Sequence, residues 1–170
     1  MELILNFVIN GVKKMGSNFH HLARGIIINN DKILLAHAIG HKNTFFPGGH
    51  IEFGESAPEA LKREIEEEIG LSCYIEGYLG LVEHKWEKDK ELHCEINQAF
   101  KVKVPEMDVL KSPTSRESHI EFYWVSVNEL KKHNLQPYPF QKLIPKFVSG
   151  DESVWWESTL NYELDEDNIG

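Results

Sequence analysis

One short stretch, GGHIEFGESAPEALKREIEEEIGL from Gly48 to Leu71, restricts the fold more than any other part of the chain. Ser56 stands where a helix N-cap belongs, and Glu59 follows at the capping-box spacing. Pro58 falls in the first turn, where its missing N–H costs nothing. Gly70 suits the left-handed residue just past a helix end. Together these signals predict a helix over Ala57–Ile69. Within it Leu61, Ile65 and Ile69 repeat at helical spacing, so they form one apolar stripe that has to be buried.

Glu64, Glu67 and Glu68 fall beside that stripe at i, i+3 and i+4, while Lys62, Arg63 and Glu66 turn to water. Like charges at this spacing repel by about 0.2–0.5 kcal/mol per pair. Taken alone, the run also reads as an acidic, solvated helix face. The glycine turn Pro47-Gly48-Gly49 just upstream shifts that balance, because residues without side chains let backbone approach a helix or a ligand closely. Hard divalent cations such as Mg²⁺ bind through carboxylate oxygens together with substrate phosphates.

Gly49, Glu55 and the run Arg63-Glu64-Ile65-Glu66-Glu67-Glu68-Ile69-Gly70-Leu71 resemble the Nudix box, G-x₅-E-x₇-R-E-U-x-E-E-x-G-U with U apolar, at every constrained position. The resemblance implies an α/β fold, the Nudix α/β/α sandwich with a mixed central β-sheet. It also implies divalent-metal-dependent hydrolysis of a phosphoanhydride bond in a nucleoside diphosphate linked to another group. Glu64, Glu67 and Glu68 match the family's metal-binding glutamates, Gly48 matches a carbonyl ligand, and Glu52 lies where a second metal is sometimes held. Arg63 matches the arginine that pairs with Glu55 and, with Gly49, supports the site. The implied cofactor is Mg²⁺ or Mn²⁺, which bridges phosphates and acidifies water.

Family members often supply a base from beyond the box. Glu117, Glu121 and Glu95 are the candidates here; Glu117 is preferred because it ends a long polar loop, and Glu64 is the alternative. His50 in the glycine turn and His41 before it are placed to touch a phosphate or a base. Phe46, Trp86, Trp124 and Tyr78 are stacking or core residues. The compact chain leans toward a nucleoside triphosphate or modified nucleotide as substrate. ADP-ribose, nucleotide sugars and 5′-triphosphate RNA stay open, as does a nucleotide-binding domain without catalysis. A helix-rich interaction module with a fortuitous acidic face is the remaining reading.

The rest of the chain is consistent with a mixed sheet and terminal helices. Asn18–Asn30 and Lys32–Ala38 read as a β-hairpin about Asn29-Asn30-Asp31, Leu71–Val104 as strands turning at Glu87–Lys90, and Ser118–Ser126 as a strand. Pro105–Ser118 reads as a loop or flap. Asn128–Asn134 and Tyr138–Val148 read as helices, the second kinked or interrupted by Pro145. The predicted organisation is a peripheral extension over residues 1–17, a domain over 18–150, and an acidic tail over 151–170.

Charge excludes some partners. The net charge is −9, from 27 acidic and 18 basic residues, so generic capture of nucleic acid or an anionic membrane is not expected. Much of the excess sits in Asp151, Glu152, Glu157, Glu163, Asp165, Glu166 and Asp167, in a tail without Lys or Arg. Met1–Asn10 is apolar but half the ~20 residues a bilayer crossing needs, and it lacks a basic leader. Cys73 and Cys94 form no disulfide framework, which predicts a cytoplasmic protein. The apolar N-terminal segment and Trp155-Trp156 are candidate contact surfaces for a homodimer. Docking of the tryptophans onto the domain itself is the other reading.

Overall fold

The computed structural model describes residues 17–162. Its strands are β1 (Ser17–Ile26), β2 (Ile28–Asn29), β3 (Lys32–Ala38), β4 (Thr44–Phe45), β5 (Tyr74–Lys88), β6 (Glu91–Lys103), β7 (Ile120–Ser126) and β8 (Trp155–Ser158). Its helices are α1 (Ala57–Ile69) and α2 (Phe140–Val148). Strands β1-β6-β5-β8 form one sheet, and β3 is the centre of the other, with β7 on one edge and β2 and β4 sharing the opposite edge. The first sheet is mixed, because β1 runs parallel to β6 and β8 parallel to β5, while β5 and β6 are antiparallel.

Helix α1 forms where its caps predict. The Ser56 N–H and hydroxyl both donate to Glu59 Oε2, and Gly70 closes the helix at φ +79° with its N–H on the Glu66 carbonyl. Ala60, Leu61, Ile65 and Ile69 are buried on it. Leu61, Ile65 and Ile69 pack in a core with Ala23, Leu34, Ala36, Phe100, Val102 and Phe122. A second core gathers Ile33, Leu35, Phe46, Val125, Phe140, Ile144 and Trp155 beneath α2. Alternate residues of β3 therefore enter opposite cores, as an extended strand between two helical layers requires. This is an α/β fold with the sheets sandwiched between α1 and α2.

The sequence-predicted hairpin survives only at its tip. Ile28–Asn29 pairs with β3, but β1 leaves it to pair with β6 over Ser17–Ile26. The glycine turn claims the other edge of β1: Ala23 N donates to Gly49 O, Gly25 N to Pro47 O, and Ile51 N to His21 O. Asn128–Asn134 is a chain of turns ending at Asn134 with φ +48°, not a helix. Pro145 lies inside α2 without ending it, and the helix runs on to Val148.

Part of the segment beyond residue 150 pairs with the domain. Trp155–Ser158 is an edge strand of the first sheet, with Trp155 in the core and Trp156 71% exposed. Gly80 makes that docking feasible. It has φ +132°, and a Cβ there would run into the backbone of Trp155. The apolar segment Met1–Asn10 lies outside the described residues. Among the described residues no helix is long and apolar enough to cross a membrane.

Candidate active site

The glycine turn lies between β1 and the acidic face of α1, and Gly48 in it is sterically required. Gly48 has φ +117°, and a Cβ on it would collide with the Ala23 carbonyl and come within 2.8 Å of Leu61 Cδ1. A Cβ on Gly49 would enter the carboxylate of Glu64. The Gly48 peptide is held from both sides. Its N–H donates to Glu68 Oε2 at 3.0 Å, and its carbonyl accepts from Arg24 Nη1 at 2.6 Å.

Arg63 organises the outer carboxylates. Its Nε and Nη2 grip both oxygens of Glu55 at 3.0 and 2.9 Å, and Nη2 also reaches the His50 carbonyl at 3.0 Å. Its Nη1 donates to Glu64 at 2.8 Å and Glu67 at 3.1 Å. The hydrogen bonds from Arg63 hold the Glu55 carboxyl below its ordinary range. Glu68 is different. It is 3% exposed, and burial pushes its pKa up to about 8 against the opposing pull of the Gly48 N–H and Arg24. The charges of Glu64 and Glu117 push it the same way as burial.

Glu64, Glu67 and Glu68 therefore share one face of α1. Among the described residues, however, no three carboxylate, imidazole or thiolate side chains converge on one point. Arg63 draws Glu64 and Glu67 to itself, while Glu68 turns onto Gly48. The donor set nevertheless fits a hard divalent ion. It is all oxygen, it includes a carboxylate whose ionisation burial opposes even with Arg24 acting on it, and that carboxylate accepts from the N–H of Gly48, the residue whose carbonyl completes the set. Glu52 lies apart from this group. Its side chain is exposed and makes no hydrogen bond or ion pair among the described residues.

Arg24 also lines a cavity of about 550 Å³. Phe45 and Trp86 contribute aromatic surface to it. The Arg24 guanidinium lies over the Phe45 ring at 5.2 Å, and Trp86 is stacked on His93 with ring centroids 3.9 Å apart. Asn134 and Gln136 add amides. Gln136 Nε2 donates to Asn134 Oδ1, while Gln136 Oε1 is buried without a partner among the described residues. Glu95 lines the cavity as well, accepting from Trp86 Nε1 at 3.3 Å and Asn97 Nδ2 at 2.9 Å. Lys42 and Lys88 stand at the wall.

Several expected site residues are placed differently. Phe46 is 1% exposed and packs edge-on against Phe140, so it belongs to the core and cannot stack on a ligand. Its neighbour Phe45 faces the cavity instead. His41 lines the cavity, and its carbonyl accepts from His37. His50 lies outside the cavity lining. It is the end of a chain in which His20 bridges His50 and His93 at 2.9 Å each, and burial, with the nearby His20 and Arg24, lowers its pKa.

Glu117 sits on a loop tied to α1 by the Arg116 N–H on the Glu68 carbonyl at 2.7 Å, and it contacts His119 at 3.3 Å. Glu121 is engaged elsewhere, paired with His37 at 2.9 Å. Tyr78 packs on Phe100, and Trp124 packs against the core under α1. Sequence reasoning missed Arg24, Phe45, Asn134 and Gln136. The only sequence signal was β-alternation at Thr44-Phe45-Phe46, which turns Phe45 and Phe46 opposite ways.

The chain is similar to several known proteins. An RNA pyrophosphohydrolase of Acinetobacter baylyi is 51% identical over 49 residues, covering 28% of this chain and 30% of that protein. The chain thus spans under a third of that relative's length. An 8-oxo-dGTP diphosphatase of Buchnera aphidicola is 26% identical over 130 residues, covering 74% of this chain and 91% of that protein. The crystal structure of a MutT protein from Methanosarcina mazei superposes with a TM-score of 0.62 at 22% identity, over 79% of this chain and 98% of that one, which establishes the shared fold. The family model for the NUDIX domain matches residues 19–147, the span that holds the turn, α1 and the cavity walls, and the chain belongs to that family.

Proposed function

We propose that this chain hydrolyses a phosphoanhydride bond in a nucleoside diphosphate linked to another group, with a nucleoside triphosphate or modified nucleotide as the favoured substrate. The observation that carries this reading is the guanidinium of Arg24, which touches both the carbonyl flanking the buried carboxylate Glu68 and the aromatic, amide-lined cavity. A phosphate chain laid along Arg24 would reach from the cavity to the acidic face of α1. The Buchnera relative, matched along most of its length, is named for a modified nucleoside triphosphate, which supports the same lean.

Glu64, Glu67, Glu68 and the Gly48 carbonyl would hold Mg²⁺ or Mn²⁺. The ion would supply charge neutralisation at the phosphates and acidify a water. Phe45 and Trp86 offer faces for a base, and the Asn134–Gln136 pair offers amide groups for its edge. Lys42, Lys88 and Arg24 balance phosphate charge. Glu117, which follows the Arg116 that donates to the Glu68 carbonyl and whose charge acts on Glu68, accepts the proton of the attacking water. Arg63 positions the acids rather than touching substrate. A cytoplasmic setting belongs to the same proposal and is supported by the two free thiols, Cys73 and Cys94.

The test is a panel of nucleoside triphosphates, 8-oxo-dGTP, ADP-ribose, nucleotide sugars and 5′-triphosphate RNA with Mg²⁺ or Mn²⁺, products being separated chromatographically. Nucleoside triphosphates or 8-oxo-dGTP should be cleaved fastest, and Glu67→Gln should abolish turnover while leaving the fold intact. Tight nucleotide binding with no cleavage under either metal would instead identify a binding domain.

A further inference from the structure

Arg24 is tied to the glycine turn through two backbone carbonyls. Its Nη1 reaches both the Phe46 and the Gly48 carbonyls, at 3.2 and 2.6 Å, and its Nε donates to Asn97 Oδ1 at 3.2 Å. The remaining Nη2 N–H groups have no acceptor among the described residues, and the side chain forms part of the cavity wall. Three carboxylates, Glu95, Glu68 and Glu64, act on this one cation. Among the described residues Glu68 makes no ion pair, its hydrogen bond coming from the neutral Gly48 N–H. The guanidinium is thus a positive charge acting on Glu68, the inner carboxylate of the acidic face, and it sits at the carbonyl on which a divalent ion would draw.

We infer that Arg24 serves as the stand-in cation at the Gly48 carbonyl and that a divalent ion bound there drives it into the cavity, to meet the phosphates of the substrate. The inference rests on the proposed hydrolase reading and adds to it a coupling residue. Two cations cannot share one carbonyl oxygen and one set of carboxylates without strong repulsion. The guanidinium has somewhere to go, because the cavity already adjoins it. Ion and nucleotide then favour each other through one side chain, and the coupling is reciprocal by linkage. Arg24 acts on the metal centre by charge and position, so it is a positioning residue there.

The experiment measures Mn²⁺ affinity without nucleotide, by electron paramagnetic resonance of free Mn²⁺, for wild type, Arg24→Met and Arg24→Lys. Removing the competing charge should tighten Mn²⁺ binding about tenfold in Arg24→Met. Arg24→Lys, which keeps the charge, should stay near wild type. A purely structural arginine predicts the reverse, with Mn²⁺ bound equally or more weakly in folded Arg24→Met, and that result would overturn the proposal. In wild-type protein labelled with ¹⁵N, the Arg24 guanidinium signals, identified by their loss in Arg24→Lys, should shift and exchange faster as Mg²⁺ is added. Signals that stay fixed through Mg²⁺ saturation overturn the proposal even if Arg24→Met fails to fold. Wild type that binds no Mn²⁺ would remove the hydrolase reading along with it; normal wild-type binding without tightening in Arg24→Met removes only the coupling.

Discussion

The backbone N–H of Gly48 donates to Oε2 of Glu68 across 3.0 Å, joining the glycine turn to the buried end of the acidic helix face. This bond satisfies one carboxylate oxygen but does not compensate the loss of water around Glu68, and burial still holds its pKa near 8. The raised value favours the protonated form in the folded protein. Below about pH 4.5 both folded and unfolded chains are protonated here, and nothing is lost. As pH rises from there toward 8, the unfolded chain releases this proton first, so stability falls. In EDTA, the melting temperature of wild type should decline between about pH 5 and 8, and Glu68→Gln should flatten the slope. Mg²⁺ should restore wild-type stability at pH 8 by binding the ionised form. Thermal melts across that range, with and without metal, check it; a slope unchanged in Glu68→Gln would show that Glu68 is not its source.

The base assignment separates two glutamates that look interchangeable in sequence. Glu117 lies on the loop fastened to α1, while Glu121 is held by His37. Glu117→Gln should lower kcat by about 10²–10³ with Mn²⁺ affinity kept. Glu121→Gln should change kcat by less than about threefold, since it only releases His37. Steady-state kinetics beside Mn²⁺ titration decide it, and the opposite ranking would move the base to Glu121.

Adjacent phenylalanines should respond in different currencies. Phe46 is enclosed with Phe140, so Phe46→Ala should cost about 3–5 kcal/mol in urea unfolding. Phe45 faces the cavity beneath Arg24, so Phe45→Ala should raise KM severalfold with a stability loss under about 2 kcal/mol. Equal stability losses for the two would place both in the core.

The last strand depends on one glycine. Gly80→Ala combines a backbone at φ +132° with a Cβ directed into Trp155, so it should cost about 1–3 kcal/mol and release β8. Gly77→Ala is the control in the same strand, with open space around its Cβ. Hydrogen exchange at Trp155–Ser158 should accelerate in the first variant and stay near wild type in the second.

What was legible in the sequence is what depends on local spacing. The caps of α1, its buried stripe and the shared face of Glu64, Glu67 and Glu68 follow from residues a few positions apart, because helix geometry alone relates them. Strand and loop identity over most of Tyr74–Ser126 was readable for the same reason. Partners distant in sequence were not. Nothing local says that β1 abandons its hairpin for β6, that Trp155 joins β5, or that Arg24 reaches Gly48. Those outcomes are decided by which edges and apolar faces remain to be covered once the whole chain is assembled. The cavity is the clearest case. Its arginine, aromatic rings and amides come from β1, β4, β5 and the turn before α2, so only tertiary packing makes them one surface. Sequence determined the acidic helix and the glycine turn it faces; the fold alone chose which cation meets that turn and what lies beside it.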